Sequence, residues 1–167
     1  MKSIAPQLLS ILLCSVFLFS CSPEDDGIYF NESSEVINTA VSYSEMESDI
    51  LTLVNEYRIS QGLSSLTTLN IISGVADGHT SYMISTGTVS HDNFDSRAQA
   101  LITNANAKKV SENVAYGYNT AQGVFNGWLK SPSHKKIIEI VSLTHFGIST
   151  KTDSEGRYYF TQIFIEK

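Results

Sequence analysis

From Ser44 onward the apolar residues recur at helical spacing. Met46, Ile50, Leu53, Val54 and Tyr57 stand at i, i+4, i+7, i+8 and i+11, one face of a helix that Gly62 ends. Residues 63–70 read as a short connection. Leu69, Ile72, Val75, Ala76, His79 and Met83 then define a second amphipathic helix closed by Gly87. A polar loop follows, in which Asp95 is the expected cap of a third helix with Ala98, Leu101, Ile102 and Ala105 turned inward. Residues 104–109 read as a surface loop. Residues 110–117, half apolar and closed by Gly117, read as an extended segment or an irregular turn. Thr120 opens a fourth helix whose buried stripe is Val124, Phe125, Trp128 and Leu129 and which stops at Lys130. Ser131 is placed to cap a further helix, and Pro132 fits its first position because the missing N–H costs nothing there. His134 therefore falls in the first turn, with Ile137, Ile138, Ile140 and Val141 after it.

The last part of the chain changes period. Residues 144–151 and 157–165 read as two strands of a hairpin, joined by turn-forming residues at 152–156. In the second of these Tyr159, Ile163 and Ile165 alternate with Tyr158, Phe160 and Phe164, so both faces are apolar. A sheet apolar on both faces needs helices on both sides. The expected fold class is therefore α+β, a three-layer α-β-α sandwich with a small antiparallel sheet between helices. At 167 residues the chain has room for one such domain, expected over 44–167 as a monomer.

The first 43 residues follow a different rule. Lys2 precedes the apolar run Leu8-Leu-Ser-Ile-Leu-Leu-Cys-Ser-Val-Phe-Leu-Phe19, which has the length of an export signal and is too short for a confident membrane span. Its end, Leu18-Phe-Ser-Cys21, is similar to a bacterial lipobox, so residues 1–20 read as a lipoprotein signal peptide and Cys21 as the lipidated new N-terminus; a simple cleaved signal is the alternative. Residues 21–43, rich in Ser, Asn, Glu and Thr, read as a flexible tether. The acidic run Glu24-Asp-Asp26 resembles the surface-export signal of certain bacterial lipoproteins, or is a solvated spacer. The expected location is the outer membrane or cell surface, with the membrane contacted through the lipid on Cys21.

Charge and cysteine content narrow the chemistry. All seventeen acidic residues lie after position 21, against ten basic ones, so the exported part is acidic and nucleic acid is excluded as an expected partner. Cys14 leaves with the signal and Cys21 carries lipid, so no disulfide forms and burial must supply the stability. There is no His-Glu-x-x-His, no Gly-x-Ser-x-Gly, no phosphate-cradling glycine loop and no free thiol after position 21. What remains is His91, Glu112 and His134 on three separate segments, each at the edge of an element. Two imidazoles and one carboxylate suit a divalent metal, or a general base held by a carboxylate. His79, on an apolar stripe, reads as a core histidine with its ring hydrogen-bonded. Arg58 and Arg97 read as ties to carboxylates or backbone, Asn113 as satisfying the backbone of its own segment, and Trp128 as core. His145 stands at the start of a strand, within possible reach of a cleft rim.

The order of these motifs carries a resemblance. Asn55-Glu-Tyr-Arg58, Gly62-Leu-Ser-Ser-Leu66, the helix with Ala76 and His79, Ser90-His91, Phe94-Asp-Ser-Arg97, Ser111-Glu-Asn-Val-Ala-Tyr-Gly117, Gly127-Trp-Leu-Lys-Ser-Pro-Ser-His134, Thr144-His-Phe-Gly147 and Tyr159-Phe-Thr-Gln-Ile-Phe164 together resemble the bacterial branch of the CAP superfamily. That superfamily, also called SCP-like, groups cysteine-rich secretory proteins, antigen 5 and pathogenesis-related proteins. The resemblance spans about residues 46–165. It implies an α-β-α sandwich and a cleft in which two histidines and two glutamates converge. His91, Glu112 and His134 match three of these four. Trp128 is followed by Leu-Lys-Ser-Pro, so the second glutamate has no counterpart. The family implies variable occupancy by zinc or another divalent cation and no generally agreed catalysis. The expected function is a binding or interaction role at the envelope, with divalent metal as a possible cofactor. A metal-assisted or histidine-based hydrolase acting on peptide or envelope polymers is the alternative, and sterol or lipid binding a third.

Overall fold

The computed structural model describes residues 41–167. The signal peptide, Cys21 and the tether up to residue 40 lie outside the described residues. Among the described residues nine elements follow in order: α1 (Glu45–Ser60), β1 (Thr67–Thr68), α2 (Asn70–Thr86), α3 (Phe94–Ala105), β2 (Lys109–Tyr116), α4 (Ala121–Lys130), α5 (Pro132–Ile138), β3 (His145–Thr152) and β4 (Tyr158–Glu166).

The sheet order is β1-β3-β4-β2. β4 is the inner strand of a hairpin with β3 and pairs antiparallel with β2 on its other side, Glu112 opposite Ile163. β1 is a two-residue strand parallel to β3, so the sheet is mixed at that edge rather than purely antiparallel. Two residues are too few to show a period, and the stretch reads in sequence as a plain connection.

The double-sided apolar pattern of β4 does what it implies. Phe160 and Phe164 join Phe146 and Ile148 of β3 under Ile50, Val54, Val124, Phe125 and Trp128 of α1 and α4. Ile163 and Ile165 face Ile72, Ala76, Leu101 and Ala105 of α2 and α3. Each fully buried Ile or Phe contributes about 1.5–3 kcal/mol of burial free energy. Two helical layers thus enclose one sheet, as the α-β-α reading expects.

Local chemistry fixes the layers to the sheet. Ser44 and Glu47 form a reciprocal capping box, and the other oxygen of Glu47 accepts a hydrogen bond from Thr150 N at 2.7 Å, tying the start of α1 to β3. Gly147 lets α2 approach β3 closely, since a Cβ there would stand 2.6 Å from the Ser73 backbone nitrogen. Trp128 is buried as expected, and its indole N–H donates to Val114 O on the edge strand β2 at 3.1 Å.

Tyr43, one residue before the expected start of the domain, packs on the core and its hydroxyl lies 2.8 Å from Ser73 Oγ. Three expectations are corrected. The N-cap of α3 is Asn93, in the left-handed region at φ 58°, and Asp95 lies inside the first turn; the chain turns sharply after His91, and Asn is among the few residues that tolerate that conformation. Ile102 is exposed rather than inward. Ser131 precedes Pro132 as expected but makes no capping bond, its hydroxyl pairing with Ser133 Oγ instead.

Candidate functional site

Glu112 is the centre of the site. It projects from β2 toward the α2–α3 layer, and only 1% of its side chain meets solvent. A buried carboxylate needs a cation and full hydrogen bonding to remain charged. Arg97, in the first turn of α3, supplies both through a two-pronged contact: Nε donates to Oε2 and Nη2 to Oε1, each at 2.8 Å. The remaining arm, Nη1, donates to Asp92 O at 2.6 Å, and the guanidinium stands 6.0 Å from the Phe94 ring centroid.

His91 closes the other side of the carboxylate. Its Nδ1 lies 2.8 Å from Glu112 Oε1 while half of its side chain stays exposed. Because the ion-paired carboxylate can only accept, Nδ1 carries the proton and Nε2 faces outward. The loop carrying His91 is held from beneath by His79, whose Nε2–H donates to Ser90 O at 2.8 Å. His79 is buried, stacks on Tyr82, and approaches Glu112 Oε1 to 3.8 Å. Burial lowers its pKa and outweighs the pull of Glu112, so the ring is held neutral. The reading of His79 as a core histidine with a bonded ring agrees with this placement. Its proximity to Glu112 was not legible in the sequence, where its stripe position signalled only burial.

His134 comes from the opposite layer. α5 packs beside β2, the edge strand, and Asn113 Nδ2 donates to His134 O at 3.3 Å across 21 residues. Asn113 thus ties strand to helix rather than serving its own segment. Burial lowers the His134 pKa, with His91 adding to the effect. The neutral form of its ring is therefore favoured. Between the layers lies a cleft of about 290 Å³ lined by His91, Phe94, Val110, Ser111, Glu112 and Ile137; α5 contributes Ile137 to it and not His134. A larger cavity of about 810 Å³ sits near the N-termini of α1 and α4 and holds none of the expected residues. Chemistry favours the smaller cleft, since that is where the oriented imidazole lies. His145 is outside it, on β3 beside β1, its Nδ1 2.8 Å from Thr144 Oγ1.

The divalent ion expected on His91, Glu112 and His134 does not fit this arrangement. Both carboxylate oxygens already accept from Arg97, and Oε1 also accepts from His91. Among the described residues no group of three or more His, Cys, Asp or Glu is placed to hold a metal. What the geometry can do is present one imidazole nitrogen in a fixed direction beside apolar walls.

Comparisons with known proteins agree with the fold. The chain is 31% identical over 124 residues to the uncharacterized membrane protein YlbC of Bacillus subtilis (strain 168), a match covering 72% of this chain and 34% of that protein. The chain therefore spans about a third of the length of that relative. Among solved structures, an extracellular protein containing an SCP domain from Bacillus anthracis superposes with a TM-score of 0.64 at 25% identity, over 72% of this chain and 40% of that one. An outer surface protein of Borrelia burgdorferi superposes with a TM-score of 0.66 at 20% identity, over 74% of this chain and 96% of that one. Residues 51–164, from within α1 to the last strand, match the cysteine-rich secretory protein family, CAP, and the chain belongs to that family.

Proposed function

We propose that this chain is an exported, lipid-anchored CAP-domain protein that binds a ligand of the cell envelope or surface through the cleft at His91 and Glu112, with His134 on the neighbouring helix, without turning it over. One observation carries the reading: a buried, arginine-paired Glu112 fixes the half-exposed His91 ring at the cleft. That costs a buried ion pair and serves to hold an exposed imidazole in one direction. A hydroxyl or thiol nucleophile would have to stand within hydrogen-bond reach of its imidazole base. Among the described residues neither His91 nor His134 is hydrogen-bonded to one. A ligand suited to the cleft donates a hydrogen bond to His91 Nε2 and lays apolar surface on Phe94, Val110 and Ile137.

Two measurements test this. The purified full chain, incubated with envelope fragments, is expected to be retained saturably, with His91→Ala reducing retention at least fivefold and mass spectrometry finding no released fragment. Product release that disappears in His91→Ala would instead establish the hydrolase, and unchanged retention in the variant would remove the cleft from the binding role. Anchoring is tested separately: in fractionated cells Cys21→Ser is expected to move the protein from the membrane to the soluble fraction. Continued retention in the membrane would eliminate the lipid anchor.

A further inference from the structure

We infer that Arg97 is the resident counter-cation of this cleft, occupying the carboxylate that a divalent ion would need as its one negative ligand, so that the site works without metal and presents His91 Nε2 as a fixed hydrogen-bond acceptor. This deepens the binding reading above and rests on the same cleft.

A carboxylate can take only a few partners, since its two oxygens offer about four lone-pair positions. At Glu112 three are filled, by Arg97 Nε, Arg97 Nη2 and His91 Nδ1, all at 2.8 Å. An ion approaching the fourth position would stand close to a guanidinium whose charge is permanent, in a setting where repulsion is weakly screened. Displacing Arg97 instead is costly, because four contacts fix it. Two go to Glu112, one to Asp92 O at 2.6 Å, and the guanidinium also lies near the Phe94 ring. Its side chain is only 11% exposed.

The ligand count points to the same conclusion. The nitrogen of His91 that faces Glu112 must carry hydrogen, since Oε1 accepts at 2.8 Å, so a metal could reach that ring only through Nε2. With Glu112 occupied, His91 and His134 would offer at most two neutral imidazoles and no negative ligand, fewer than the three protein ligands of an open zinc site. Among the described residues no group of three or more His, Cys, Asp or Glu is placed to add to them. The same geometry gives Arg97 a consequence beyond stability: by keeping Glu112 an ionised acceptor it fixes which His91 nitrogen the ligand meets.

The test uses the full chain in detergent and zinc alone as the probe. Calorimetric titration of the wild type is expected to show no saturable zinc uptake. Arg97→Met, which frees the carboxylate while keeping the apolar bulk, is expected to gain zinc affinity at least tenfold above the wild-type limit, and to lose that gain when Glu112→Gln is added. Stoichiometric zinc binding by the wild type, or a folded Arg97→Met that takes up none, overturns the inference and leaves the envelope-binding reading standing. Should Arg97→Met fail to fold, nitrogen NMR of the wild type decides. His91 is expected as the Nδ1–H tautomer at neutral pH, unchanged by zinc or chelator, and an Nε2–H tautomer or a zinc-dependent shift overturns the proposal.

Discussion

Glu112→Ala is expected to lower the unfolding free energy by about 3–5 kcal/mol, the usual consequence of stripping one partner from a buried ion pair. The variant leaves Arg97, only 11% exposed, facing an apolar methyl in place of two charge-assisted hydrogen bonds. It also frees the His91 ring, which has no other hydrogen-bond partner among the described residues. Urea denaturation measures the first effect and His91 NMR line shapes the second. Glu112→Gln, which keeps an acceptor but not the charge, is expected to fall between wild type and Ala. A loss under about 1 kcal/mol for Ala would be that of an exposed pair and would refute the buried-cluster description.

Arg58→Met is expected to cost about 3 kcal/mol or more, for a different reason. Arg58 is fully buried, and it is held by backbone carbonyls: Nε donates to Ser64 O at 2.9 Å, and Nη1 to Ile138 O at 2.6 Å and Ile140 O at 3.0 Å. Burial lowers its pKa, as expected where desolvation opposes the charge. The carbonyls of Ile138 and Ile140 lie at the C-terminal end of α5, and Arg58 itself stands in the last turn of α1. The guanidinium therefore sits at the negative ends of two helices. Methionine matches its apolar bulk but orphans these acceptors, each worth about 1–3 kcal/mol when buried. Because α5 carries His134 and Ile137, loosening its end is expected to reach the cleft. Denaturation gives the stability, and amide exchange over 132–140 gives the local effect. Exchange in α5 indistinguishable from wild type would remove the coupling between Arg58 and the cleft.

Much of this was legible beforehand, and the failures share a cause. The helical stripes of α1, α2 and α4 follow from periodicity because each helix buries one continuous face. The two-faced pattern of β4 required two helical layers. His91, Glu112 and His134 were recognisable as candidates, and the structure brings His91 and Glu112 to 2.8 Å. β1 escaped notice because its two residues gain their pairing from β3, far along the chain. Asp95 and Ser131 are good capping residues by type, but the backbone turn at Asn93 and the pairing of Ser131 with Ser133 decided otherwise. Arg97 was expected to tie a helix to a carboxylate or to backbone. Which carboxylate it meets depends on how α3 docks against β2, and that choice separates an arginine-paired cleft from a metal centre.

Sequence alone determined the layers, the helix faces and the residue types at the cleft, because these depend on spacing within single elements and on the need to bury apolar surface. Tertiary structure decided the chemistry. Residues 79, 91, 97 and 112 meet only through strand order, edge position and the turn at Asn93, while His134 stays on the opposite layer, tied through its backbone oxygen to Asn113. A carboxylate's behaviour is set by what fills its few lone-pair positions in a medium that screens poorly. That occupancy is a property of packed neighbours, not of any motif, and here it is an arginine that fills it.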